Sequence, residues 1–258
     1  MQRITTPGGV TASYEKSGSG PPLVLVHGSL SNHEGAWMLV KPLLQPKFTV
    51  YAVARRGRGD TTATEGHSIA DEAADLAAVI EAIGEPVFLL GHSFGAQVSL
   101  AAAAGVPEKV RKLVLYEPPV PTAMTRERLQ GLQVLAAKGE DEAMVDDFMR
   151  NVVKVPGEQV DLIRTTPFWQ LLVNDAQNSI REWPALVNYD FKAGRFATLP
   201  MPVLLLTGSD SPQEIYGTKA LAAAIAGARV VEFAGQGHVA QAFAPQVFAE
   251  AVTSFLLS

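Results

Sequence analysis

The chain contains no cysteine. That absence excludes a disulfide scaffold, a thiolate nucleophile, an iron–sulfur cluster and any Cys-based zinc site. Its five histidines include no pair at the HExxH spacing of a zinc hydrolase, so no metal is expected. Charge is scarce, with 18% of residues charged, and 21 Lys and Arg stand against 26 Asp and Glu for a formal net charge of −5. A nucleic-acid binder carries a clustered basic excess. Here the only dense basic group is Arg55-Arg56-Gly57-Arg58, and no nucleic-acid partner is expected. No uninterrupted apolar run reaches the roughly 18 residues of a membrane span. The stretch 87–106 comes closest, and His92, Ser93, Gln97 and Ser99 interrupt it. Residues 1–9 lack the apolar segment of a secretory signal, so the expectation is a soluble cytoplasmic protein with no membrane partner, monomeric or homodimeric.

What the sequence does hold is apolar: 47% of its 258 residues are hydrophobic, enough to bury the core of one large α/β domain. Short apolar runs at 23–26, 87–90 and 203–206 suit strands buried on both faces. Further strands are predicted at 2–6, 10–16, 48–54, 110–116 and 229–233. Helical spacing appears at 34–44, 94–104, 213–226 and 245–257. The segment 68–83 is the most regular, with Ser68 placed to cap it, Asp71 and Glu72 in the first turn, and Leu76, Val79, Ile80 and Ile83 as its buried stripe. Alternating strands and helices predict a mostly parallel sheet covered by helices. Between Glu117 and Val203 the rhythm stops. That stretch carries helical patterns alone and is far longer than a βα connection of about 2–6 residues. The expectation is a core of residues 1–119 and 196–258 with a helical cap of 120–195 folded over the site edge.

Gly91-His92-Ser93-Phe94-Gly95 follows a buried strand and opens a helix, the context in which a G-x-S-x-G turn projects its serine above a sheet. A serine hydroxyl is a weak nucleophile without a base. His238, just past the last strand in Gly235-Gln236-Gly237-His238, is the candidate base. Asp210, after the strand 203–206, is the candidate acid, giving the chain order Ser93, Asp210, His238. Glu117 also ends a strand and is a rival acid, read as lining the pocket or making a structural hydrogen bond. Glu214, inside the next helix, is a weaker rival. The oxyanion donors are expected to be the amides of Phe94 and of Ser29 in His27-Gly28-Ser29. His27 and His92 are read as structural.

These residues resemble the α/β-hydrolase superfamily. His27-Gly28, Arg56-Gly57-Arg58-Gly59, Gly91–Gly95, Gly208-Ser209-Asp210 and Gly237-His238 fall in that family's order. One departure is Ala54, where many relatives carry an acidic residue. The resemblance implies an α/β-hydrolase fold, with an eight-stranded sheet whose second strand is antiparallel, a helical cap, and a cofactor-free Ser–His–Asp enzyme. The leading expectation is a hydrolase of carboxylic esters, lactones or thioesters acting on a small molecule. The superfamily also holds perhydrolases, lyases, cofactor-free oxygenases and carbon–carbon bond hydrolases, and a binding protein that retains the triad is a further alternative. Serine at position 93 argues against the dehalogenase and epoxide hydrolase branches, which use aspartate there. His33, Trp37, Phe168 and Trp183 are the candidate substrate contacts.

Overall fold

A computed structural model describes residues 1–64 and 66–258. Eight strands are present: β1 (Gln2–Thr5), β2 (Thr11–Gly18), β3 (Pro22–Val26), β4 (Thr49–Ala54), β5 (Val87–His92), β6 (Val110–Tyr116), β7 (Val203–Gly208) and β8 (Arg229–Phe233). They form one sheet in the order β1-β2-β4-β3-β5-β6-β7-β8. β2 runs antiparallel to both neighbours and the pairings from β3 to β8 are parallel, as the resemblance implies. Every residue of β3, β5 and β7 is buried, because helices cover both faces of a parallel sheet.

The helices of the core are α1 (Lys41–Leu44), α2 (Ile69–Ile83) and α3 (Phe94–Gly105). Then come five between β6 and β7: α4 (Arg126–Ala137), α5 (Asp141–Asp147), α6 (Gly157–Arg164), α7 (Pro167–Asn174) and α8 (Ala176–Val187). The chain closes with α9 (Thr218–Ala224), α10 (Ala240–Phe243) and α11 (Pro245–Leu257). α2 begins at a capping box in which the Ser68 hydroxyl accepts from the Asp71 amide while Asp71 accepts from the Ser68 amide, and it ends at Gly84 with φ of 84°. Leu76, Val79 and Ile80 pack with Val98 and Leu100 of α3 on one face of the sheet. Trp37, Leu44, Phe248 and Val252 fill the other. A third apolar cluster, including Leu132, Met144, Phe148, Trp169 and Trp183, sits among α4 to α8.

Two predicted helices are shorter than their spacing suggests. The segment 34–44 splits into a 3₁₀ turn at Gly35–Trp37 and the single turn of α1, since Pro42 cannot donate to the carbonyl four residues back. The segment 213–226 begins helically at Gln213–Ile215 but extends at Tyr216, which bridges to Pro119 before α9 starts. That interruption lays the Tyr216 ring on His238, with centroids 4.8 Å apart and planes within 14°.

Candidate active site

β5 delivers Ser93 into the turn before α3 with φ of 54° and ψ of −124°. A non-glycine residue there is strained, and the surrounding structure must hold it. Close packing does so: a Cβ on Gly95 would lie 2.3 Å from the His27 carbonyl oxygen, and one on Gly28 would lie 2.9 Å from the Ser93 Cβ. The loop His27-Gly28-Ser29 is thereby pressed against the serine. Among the described residues no protein acceptor meets the amide of Ser29 or of Phe94. Both residues border the space above Ser93, and the N-terminal end of α3 adds partial positive charge there.

His238 follows β8 and is buried. Its Nδ1 donates to Glu117 Oε2 at 2.6 Å. The expectation for the acid is corrected here. Asp210 is solvent-exposed, accepts from its neighbour Ser209 Oγ at 2.9 Å, and is not bonded to His238. Glu117 directly follows β6 with φ of 46° ahead of Pro118, and this turn swings its carboxylate across the end of β7. There Oε1 accepts from Thr207 Oγ1 (2.9 Å) and from the Gly208 amide (2.8 Å). The last two residues of β7 therefore donate to Glu117, while Asp210, just past β7, bonds neither Glu117 nor His238. Burial raises the Glu117 pKa, but the hydrogen bond and charge of His238 with the Gly208 amide outweigh it and hold the carboxyl below its usual range.

The backbone on either side of the His238 ring is held as well. The His92 Nε2 donates to the His238 carbonyl at 2.8 Å, and the Tyr116 hydroxyl bonds the Gly237 carbonyl while accepting from the Ala240 amide. Burial first, and the neighbouring His238 second, push the His92 pKa well down. His27 is structural: its Nδ1 faces the Gly28 carbonyl at 2.8 Å and its Nε2 accepts from the Arg55 amide at 3.3 Å.

Ser93 and His238 line one cavity of about 700 Å³, part of it open to solvent. Its wall includes Leu30, Phe148, Met149, Ile163, Phe168 and Leu172, and among the described residues no Lys, Arg, Asp or Glu lines it. Trp183 borders an adjoining lobe of about 350 Å³ that also touches Ser93 and His238, and its ring stacks on Phe148 at 4.3 Å. Of the four expected substrate contacts, Phe168 and Trp183 line this space. His33 and Trp37 do not. His33 is buried, with its Cε1 within 3.1 Å of a Cβ built on Gly59, and Trp37 is sealed in the core cluster beneath the sheet. Among the described residues no group of three His, Asp or Glu side chains is poised to hold a metal ion, and no helix is long and apolar enough to cross a membrane.

The sequence profile of the alpha/beta hydrolase family matches residues 23–251, and the chain belongs to that family. An alpha/beta hydrolase from Sphaerobacter thermophilus DSM 20745 is 34% identical, covering 96% of this chain and 99% of that one, with a TM-score of 0.80. An esterase from Exiguobacterium antarcticum shares the fold at 23% identity, covering 100% of this chain and 99% of that one, with a TM-score of 0.81. A curated relative, the 2-(acetamidomethylene)succinate hydrolase of Mesorhizobium japonicum, is 36% identical over 115 residues, which is 43% of this chain and 40% of that protein. The match thus spans well under half the length of that relative.

Proposed function

We propose that this chain is a serine hydrolase that cleaves uncharged carboxylic esters through an acyl-enzyme on Ser93. The observation that carries the reading is the convergence on one cavity of a strained Ser93 and a His238 whose Nδ1 is held by Glu117. With Nδ1 donating to Glu117, the neutral imidazole presents Nε2 as an acceptor. Nε2 takes the Ser93 proton as Oγ adds to the ester carbonyl, and the Glu117 carboxylate stabilises the imidazolium. The Ser29 and Phe94 amides receive the developing oxyanion. His238 then returns the proton to the departing alkoxide, leaving an acyl-serine. A water molecule, deprotonated by Nε2, attacks that acyl group, and collapse releases the carboxylic acid and restores Ser93.

The wall chemistry supports a neutral substrate. A carboxylate buried without a cationic partner costs several kcal/mol, and among the described residues no Lys or Arg lines the cavity. An activity on a succinate, as in the name of the Mesorhizobium relative, does not fit this wall. The test is turnover of neutral p-nitrophenyl esters by wild type and by Ser93→Ala. The alanine variant should be folded and inactive. Residual turnover within tenfold of wild type would sink the reading.

A further inference from the structure

Glu182 on α8 is fully buried and takes no part in the steps above. Its carboxylate accepts from Arg55 Nη2 at 2.7 Å, from Arg58 Nη1 and from the Ser29 hydroxyl. The arginines follow β4 in the core, whereas α8 belongs to the helices between β6 and β7. The same two groups of elements meet at further points. Arg58 forms a bidentate pair with Asp175, and the Leu30 and Ser31 amides donate to Ser179 Oγ (2.7 Å) and Asp175 Oδ2 (3.1 Å).

Arg55 reaches the oxyanion loop from the other side. Its Nη1 donates to the carbonyls of His27 (3.3 Å) and Gly28 (3.2 Å), and the Gly28 carbonyl also faces His27 Nδ1 at 2.8 Å. A trans peptide is planar, with its C=O and N–H pointing in opposite directions. Clamping the Gly28 carbonyl therefore aims the next amide, that of Ser29, the other way. Glu72 holds the remaining edge of Arg55 at 2.7 and 3.0 Å, and the guanidinium lies 4.1 Å from the Phe94 ring centroid. Glu182 is the one member of this cluster bonded to both the arginine that clamps the Gly28 carbonyl and the hydroxyl of the residue whose amide is aimed.

We propose that Glu182 is a positioning residue for the oxyanion hole: from the cap it locks the Gly28–Ser29 peptide in its donating orientation, so that seating α8 and assembling the hole are one event. This rests on the serine hydrolase reading above. It predicts a defect in transition-state stabilisation and not in substrate binding.

Glu182→Gln removes the charge that holds Arg55 and Arg58, and its NH₂ group must either face the guanidinium groups or reverse the bond to the Ser29 hydroxyl. For the folded variant, kcat on a neutral p-nitrophenyl ester should fall about 10- to 100-fold, a part of the 10²–10³ lost when an oxyanion donor is removed. KM should stay within about threefold of wild type, and the Ki of a trifluoromethyl ketone, which forms an oxyanion on the serine, should rise in step with the fall in kcat/KM. An unchanged kcat, or a rise in KM alone, would overturn the proposal and leave Glu182 as cap packing. Should Glu182→Gln not fold, Ser29→Ala cuts the hydroxyl link and keeps the amide. It should lower kcat about three- to tenfold at constant KM, and an unchanged kcat overturns the proposal equally. Fluorophosphonate labelling separates the two levels. An unlabelled wild type removes the serine hydrolase reading and the proposal with it, whereas a labelled wild type with a fully active Glu182→Gln removes the positioning role alone.

Discussion

Replacing Glu117 by glutamine should nearly abolish ester turnover, while Asp210→Asn should leave it within about threefold of wild type. The asymmetry follows from the cradle. The Glu117 Oε1 site is surrounded by donors, the Gly208 amide and a Thr207 hydroxyl that itself accepts from Gln213 Nε2. In Glu117→Gln the amide oxygen must take that site, because the nitrogen would face two N–H or O–H groups. The NH₂ group is then forced against His238 Nδ1. An imidazole that accepts at Nδ1 carries its proton on Nε2 and cannot take the one from Ser93. The corresponding change in a serine protease lowers kcat about 10⁴-fold, which corresponds to roughly 5 kcal/mol of transition-state stabilisation. The Asp210 carboxylate accepts from the Ser209 hydroxyl and is exposed to solvent, so the Asn amide should matter little. The assay is kcat on a short neutral ester for both variants, with circular dichroism to verify folding. If Asp210→Asn proved the more damaging of the two, the assignment of the acid to the end of β6 would be wrong.

Other outcomes follow from the same geometry. Gly28→Ala should be inactive, since its Cβ would come within 2.9 Å of the Ser93 Cβ; unaltered kcat would contradict the close approach of the oxyanion loop. Phe168→Ala should shift preference toward longer or bulkier acyl groups with little change on acetate, while Trp183→Ala should do the same and also lose about 3–5 kcal/mol of stability, because the indole is fully buried against Phe148. An unchanged chain-length profile in both would remove these residues from the substrate wall. His67 is buried, and its bond to Glu72 outweighs desolvation to raise its pKa. The stabilisation from that pairing is fully present below the unfolded pKa of about 6.5 and is lost as pH rises through the folded value. Wild type should therefore lose thermal stability over that range relative to its lower-pH value, and His67→Gln should flatten the profile.

Much of the fold was legible because its signals are local. The buried runs of β3, β5 and β7, the Ser68 cap and the Gly91–Gly95 turn each depend on neighbouring residues. The sequence points to Asp210 as the partner of His238 because two strand ends, Glu117 and Asp210, both offer a carboxylate and chain order alone favours the latter, whereas the structure bonds His238 to Glu117. What decides between them is three-dimensional: the positive φ at Glu117 and the donors that β7 lends it. Glu117-Pro118-Pro119 at a strand end was the available signal, a carboxylate whose backbone is restricted by the proline that follows. His33 and Trp37 were misplaced for a related reason. Proximity in sequence to the loop His27-Gly28-Ser29 does not specify the side to which a side chain turns. The Arg55–Glu182 cluster joins residues 127 apart, and nothing in the sequence pairs them.

The central claim is covalent chemistry at Ser93, and the acyl-enzyme tests it most directly. Intact-mass spectrometry of protein quenched in acid during turnover of a slowly deacylated neutral ester should show a mass increase equal to one acyl group, mapped by peptide sequencing to Ser93 and missing from Ser93→Ala. Turnover with no adduct at any time point, or an adduct on another residue, would contradict it.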